Sequence, residues 1–237
     1  MFGTTTFLAI IPARGGSKRL PKKNLLELNG KPLIAYTIEA GLKSKYIDTV
    51  VVSSDNDKIL EVSTYYGADT LKRPASLATD IANTNEMISH VLEKVQGFDF
   101  IVLLQPTSPL RNSVHIDEAI EYLLKKEADA IISVCEVEHS PLWSNVLPKD
   151  KSMSGFLKED DEDKRSQDLE TYYRLNGAIY ICRVDRFLIE KKLFLKDNIY
   201  AYRMSKKYSV DIDDIFDFKL AEIFLATKST YQIKDTI

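Results

Sequence analysis

Short apolar runs alternate with amphipathic segments through the first 135 residues, and this alternation constrains the fold more than any other feature of the chain. Residues 7–11 and 100–104 are continuous apolar stretches, and 49–53 and 130–134 are rich in β-branched side chains. Runs this short, without alternate polar positions, predict strands covered on both faces. Between them, residues 32–40 carry apolar positions at helical spacing with Pro32 near the start, and 88–95 and 115–126 read as helices. Ser54 and Asp55 are candidates to cap a helix running through Tyr66. Strands alternating with helices predict a Rossmann-like, three-layer α/β/α fold built on a mostly parallel sheet.

The pattern then changes. Residues 138–168 are polar and include a mixed charge run at 158–165, which predicts a solvated, mobile loop. Residues 172–181 return to strand character. Residues 187–202 mix aromatics with lysines, which suits an arm against a second subunit, and 215–227 has the spacing of a closing helix. No repeat and no long linker interrupts the chain. The expected organisation is one domain over residues 1–237, with 138–205 carrying the loop and the arm.

Composition removes several function classes. The 237 residues can bury a full core, and a net charge of −3 offers no general attraction to nucleic acid or to an anionic membrane. No apolar run is long enough to span a bilayer, and residues 1–11 lack the features of a signal peptide. Cys135 and Cys182 have no zinc or redox spacing. Two buried, reduced thiols in a cytoplasmic protein are the expectation.

Against that mildly acidic background, the segment Ile10-Ile11-Pro12-Ala13-Arg14-Gly15-Gly16-Ser17-Lys18-Arg19-Leu20-Pro21-Lys22-Lys23-Asn24 concentrates positive charge directly after the first strand. Glycines let backbone N–H groups approach an anion, and Arg14, Lys18, Lys22 and Lys23 supply cations. The segment reads as a triphosphate cradle or, more plainly, as a basic surface loop. It satisfies neither the Walker A pattern nor the dinucleotide fingerprint.

Three later segments carry chemistry. Leu104-Gln105-Pro106-Thr107-Ser108-Pro109-Leu110-Arg111 follows a buried strand, where ligands bind in parallel sheets, or is a rigid turn facing water. Ser209-Val210-Asp211-Ile212-Asp213-Asp214 sets Asp211 and Asp213 on one face of an extended segment, a spacing that suits Mg²⁺, while Asp214 suits a helix cap. Too little chain follows Asp213 for the α/β domain that a phosphatase use of D-x-D needs. Arg174-Leu175-Asn176-Gly177-Ala178-Ile179-Tyr180-Ile181 offers an arginine for a carboxylate or phosphate, and an Asn-Gly pair that equally marks a bulge. His90, His115 and His139 lack metal spacing, Trp143 favours packing, and no G-x-S-x-G occurs.

The glycine-rich loop, L-L-Q-P-T-S-P-L-R, R-x-N-G-A-I-Y and S-x-D-I-D occur in an order that resembles the acylneuraminate cytidylyltransferases, the CMP-sialic acid synthetases and their relatives, from Ile10 to about Leu225. The resemblance implies a nucleotidyltransferase that moves CMP from CTP to the anomeric hydroxyl of a nine-carbon 2-keto sugar acid, releases pyrophosphate, uses Mg²⁺ and works as a homodimer. It implies Arg14, Gly15, Ser17 and Lys23 at the triphosphate, Asn24 at the ribose, and Pro12, Ala13, Arg73 and Thr84 around the cytosine. It implies Gln105, Arg165, Asn176 and Tyr180 near the sugar, Phe194 reaching the partner's sugar pocket, and Asp211 and Asp213 on the metal. Arg14, Lys23, Asp211 and Asp213 are the expected catalytic set.

Three positions depart from the pattern. Arg19 stands where the family usually has Gly and is expected to point to solvent. Trp143 stands where sialic-acid-specific members carry Lys, and Ser166 where an Arg is common. The segment 138–143 looks more like relatives acting on legionaminic or pseudaminic acid. A Kdo cytidylyltransferase and a non-catalytic nucleotide sensor are the rival readings.

Overall fold

The first apolar run forms β1 (Phe7–Pro12), whose residues alternate between two cores. Phe7, Ala9 and Ile11 join one core, and Leu8 and Ile10 the other. A strand that buries both faces belongs inside a sheet. The computed structural model, which describes residues 4–79, 83–158, 160, 164–165 and 168–230, puts it there.

The remaining strands are β2 (Glu27–Leu28), β3 (Lys31–Pro32), β4 (Thr49–Ser54), β5 (Asp69–Lys72), β6 (Phe100–Leu103), β7 (Ala130–Glu136), β8 (Tyr173–Arg183) and β9 (Ile199–Arg203). β2 and β3 form a small hairpin, and the other seven form one sheet in the order β5-β4-β1-β6-β8-β7-β9. β8 alone pairs antiparallel with both its neighbours, β6 and β7, and every other pairing in the sheet is parallel. Inner strands β1, β4 and β6 are buried almost throughout, whereas β5 and β9 at the edges are exposed or half-buried along their length.

Helices cover both faces. α1 (Leu33–Leu42), α2 (Asp57–Tyr65) and α4 (Ser113–Lys126) pack Ile34, Ile38, Ile59, Ile116 and Ile120 on one face. α3 (Thr84–Lys94) and α5 (Val184–Glu190) pack Met87, Ile88, Val91 and Phe187 on the other. The cap of α2 differs from expectation. Asn56 accepts the N–H groups of Lys58 and Ile59, Ser54 only accepts that of Asn56, and Asp55 is turned toward Gly15. Asn112 caps α4 in a reciprocal pair with His115, which gives that histidine a structural task.

A third cluster ties the site segments together. Leu20 and Leu28 meet Val210, Ile212 and Phe218, the last from α6 (Ile215–Thr230). Asp214 caps α6, its Oδ1 accepting from Phe216 and Asp217.

The segment read as an arm is integrated more closely than its composition suggested. Phe187, Leu193 and Leu195 are buried in the chain's own core, and β9 is an edge strand of the sheet. Phe194 and Tyr200 remain exposed. Much of the charge run at 158–165, together with Ser166, lies outside the described residues. No helix among the described residues is long and apolar enough to cross a membrane.

Candidate active site

The carboxyl ends of adjacent parallel strands leave a crevice, and here β1 and β6 supply it. A cleft of about 350 Å³ opens there, lined by Pro12, Arg14, Ser17, Lys23, Asn24, Arg73, Thr84, Gln105, Asp211 and Asp213. Segments scattered from residue 12 to residue 213 thus converge on one cavity.

Each wall has a local cause. The turn after β1 is held by Ala13 donating to the Ser53 carbonyl and by the Asn24 amide donating to the Arg14 carbonyl. The Gly15 N–H donates to Asp55 at 2.9 Å, so it serves the loop and is not presented to an anion in this conformation. A Cβ at Gly15 would stand 2.8 Å from the Asn56 amide nitrogen, and this close approach accounts for glycine there. Ala13 is wholly buried, packed in the core with Ile11, and is absent from the cleft wall.

The cation wall is crowded. Arg73 is buried, and its Nε has no hydrogen-bond partner. Burial lowers its pKa, nearby Arg14 lowers it further, and Asp55 raises it in part. Lys23 is 13% exposed; its ammonium donates to the Ile212 carbonyl and stands 3.7 Å from Asp213.

On the opposite wall, Val210 and Ile212 are buried while Asp211 and Asp213 face outward, the alternation of an extended segment. Ile212 donates its N–H to the Thr107 carbonyl at 2.8 Å, which docks this segment on the turn after β6. The Asp211 carboxyl is raised above the usual carboxylate range, first by desolvation within the cleft; a hydrogen bond from Thr107 opposes this and Asp213 adds to it. Tyr180 is raised by its own burial and then by Asp211, so the two groups share one field.

The structure sorts the residues expected near a sugar. Gln105 lines the cleft beside Gly177. Asn176 is fully buried and has no polar atom left for a ligand. Its oxygen accepts from Ser133 and from the Ala178 N–H, and its nitrogen donates to Ser209 and Met204. It holds the irregularity between β7 and β8, where the register shifts, so the bulge reading of Asn-Gly is the one observed. Arg165 is absent from the cleft wall and pairs with Asp168 at 3.0 Å. Arg174 meets a carboxylate within the chain, donating through Nε and Nη2 to Glu138. Phe194 lies edge-on to Tyr180, with ring centroids 6.4 Å apart.

Several wall residues escaped the sequence reading. Leu77, Thr79, Asn83 and Met87 come from the segment before α3 and its first turn. Asn83 is the α3 cap, and a cap-like Asn before a helical pattern was the available signal. The Arg19 side chain is 72% exposed, as expected of one pointing to solvent, and its guanidinium in addition pairs with Asp213 at 2.7 Å. The Cys182 thiol is pushed up to about 12, mainly by burial, which leaves it protonated at neutral pH and chemically idle.

Seven strands with one reversed member, and a charged cleft at the strand ends, define a Rossmann-like α/β fold with its candidate site beyond the strand ends. The solved CMP:2-keto-3-deoxy-manno-octonic acid synthetase complexed with CTP superimposes with a TM-score of 0.73 at 18% identity, covering 94% of this chain and 100% of that one. The 4-diphosphocytidyl-2C-methyl-D-erythritol synthase of Anaerococcus prevotii follows with a TM-score of 0.66 at 13% identity, covering 94% and 96%. Residues 8–234 match the family described as Cytidylyltransferase, and the chain belongs to that family.

Among curated relatives, the N-acylneuraminate cytidylyltransferase of Escherichia coli is 39% identical across 97% of this chain and 54% of its own length. This chain therefore spans about half the length of that relative. The CMP-N,N'-diacetyllegionaminic acid synthase of Legionella pneumophila is 37% identical, covering 91% of this chain and 94% of its own. The pseudaminic acid cytidylyltransferase of Campylobacter jejuni is 34% identical, with the same coverage of both chains.

Proposed function

We propose that this protein transfers CMP from CTP to the anomeric hydroxyl of a nine-carbon 2-keto sugar acid. The sugar's C2 oxygen attacks the α-phosphorus, the bond to the β-phosphate oxygen breaks, pyrophosphate leaves, and the hydroxyl proton passes to a base. One observation carries the reading: Arg14, Lys23 and Arg73 face Asp211 and Asp213 across a single cleft at the carboxyl ends of β1 and β6.

Phosphoryl-type transfer is catalysed mainly by orientation and by neutralising charge on the leaving group. Arg14 and Lys23 fit that second task. Lys23 is held in place, its ammonium anchored on the Ile212 carbonyl. Asp211 and Asp213 are the residues to hold Mg²⁺. Among the described residues no cluster of three or more metal-ligating side chains exists, and two outward carboxylates beside a cation-lined cleft suit an ion that keeps waters and takes phosphate oxygens. When bound, that ion supplies charge neutralisation at the phosphates. Pro12, Asn24, Thr84 and the α3 start fit the nucleoside, and Gln105 and Tyr180 the sugar.

The sugar class is sialic, legionaminic or pseudaminic acid. Trp143 and the 138–143 segment look more like relatives acting on legionaminic or pseudaminic acid, and the stretch borders a cavity with His139 and Tyr172 next to the Arg174–Glu138 pair. A homodimer in the cytoplasm, with exposed Phe194 meeting the second subunit, completes the reading. Pyrophosphate release from CTP with each acid in turn tests it. Release with one or more of them in the presence of Mg²⁺ is expected. No release with any defeats the proposal, and release with Kdo alone replaces it by the Kdo reading.

A further inference from the structure

Arg19, in the first loop, reaches across to the acidic wall by a direct ion pair at full hydrogen-bond contact. Its Nη1 donates to Asp213 Oδ2 at 2.7 Å, while Oδ1 of the same carboxylate looks toward Lys23 at 3.7 Å. Both oxygens of Asp213 therefore face cations. The backbone beneath them is pinned, since the Asp213 N–H donates to Asp217 at 2.9 Å. Arg19 itself is loosely held, with 72% of its side chain exposed.

A second cavity, of about 480 Å³, opens around this pair and is lined by Arg14, Ser17, Lys18, Arg19, Lys23 and Asp213. It shares Arg14, Ser17, Lys23 and Asp213 with the main cleft, so it continues the same charged path. Asp213 is the one carboxylate among the described residues that line it. Unpaired, that charge would repel a polyanion entering the cavity; paired with Arg19, it does not.

We propose that Arg19 is an exchangeable counter-ion. It neutralises Asp213 while the site is empty, yields the carboxylate to the divalent cation that arrives with the nucleotide, and then turns its guanidinium to the β- and γ-phosphates in the second cavity. The inference rests on the proposed metal role of Asp213. The physics sets its size: an exposed ion pair is weak, so the exchange costs little, and Arg19 delays cation binding without preventing it. A guanidinium released beside phosphate has a bidentate partner available, which drives the exchange forward.

The test uses the intact chain and Mn²⁺ as the probe, with binding read by water proton relaxation in the absence of nucleotide. Arg19→Gln should bind Mn²⁺ about two- to fivefold more tightly than the wild type. The same variant should bind Mn²⁺-pyrophosphate several-fold more weakly. Unchanged or weaker Mn²⁺ binding in Arg19→Gln overturns the counter-ion role, and unchanged pyrophosphate binding overturns the transfer to phosphate. Asp213→Asn separates this failure from failure of the metal assignment: it should weaken Mn²⁺ binding markedly. Wild-type affinity in that variant would remove Asp213 from the metal site, and the Arg19 proposal with it.

Discussion

Gly177 and Gln105 stand so close that a Cβ on the glycine would come within 2.7 Å of the Gln105 side-chain oxygen. Gly177 also has φ +72°, a conformation in which side chains are strained. Both constraints arise where β8 runs antiparallel to β6, with Tyr180 opposite Leu103, so that the Asn-Gly bulge meets the end of β6. Gly177→Ala should cost about 1–2 kcal/mol in stability and push Gln105 out of position. The KM for the sugar acid should rise about tenfold, while that for CTP stays within about twofold. Steady-state kinetics with each substrate varied in turn checks this; unchanged KM for the sugar would detach Gln105 from that subsite.

Asp211 differs from Asp213 in its setting. Thr107 donates to its carboxylate and Tyr180 shares its field, whereas Asp213 is held by Arg19 and Lys23. Asp211→Asn keeps the shape and removes the charge. Its kcat should fall about 100-fold or more, the scale on which single electrostatic contacts act in the transition state. Raised Mg²⁺ should restore only part of the loss. Near-normal turnover would remove the metal role assigned to Asp211.

The parts of this site that were legible from sequence are those fixed by local pattern. The alternation of Val210 and Ile212 with Asp211 and Asp213 is a period of two, and the docking of Ile212 into the third cluster preserves it. The buried runs that became β1, β4 and β6 declare themselves by lacking polar positions. Contacts over long separations were not legible. Gly15 resembles a phosphate-binding glycine, yet its N–H serves Asp55, forty residues on. Asn176 resembles a ligand, yet tertiary packing closes its amide among Ser133, Ser209 and Met204. Arg19 departs from its family's glycine, and nothing local in the loop announces a partner at Asp213. Aromatic residues in 187–202 suggested an exposed arm because composition does not distinguish buried Phe187 from exposed Phe194.

Phe194 is 48% exposed and lies edge-on to Tyr180, the residue proposed to meet the sugar. Phe194→Ala should therefore leave CTP binding nearly intact and raise the KM for the sugar acid by several-fold, with a smaller change in kcat. An equal rise in both KM values would argue against a place over the sugar. Sedimentation of the same variant reports whether the ring also contributes to self-association, and a shift toward monomer is expected.

Arg186 gathers three carboxylates from separate parts of the chain: Asp129 at 2.6 Å, Glu190 at 2.9 Å and Asp197 at 2.5 Å. It thereby fastens the start of β7, the end of α5 and the segment leading to β9. Arg186 holds the Glu190 carboxyl below its ordinary value of 4.5. A carboxyl with a lowered folded pKa adds stability above its unfolded pKa and loses that contribution as pH falls through the folded value. Arg186→Gln should lower Tm by several degrees at neutral pH. The gap to the wild type should persist down to about pH 5 and then narrow as Glu190 protonates in both proteins. Thermal unfolding followed by circular dichroism between pH 7 and about pH 3 measures this gap, and a difference independent of pH would show that Arg186 acts by packing alone.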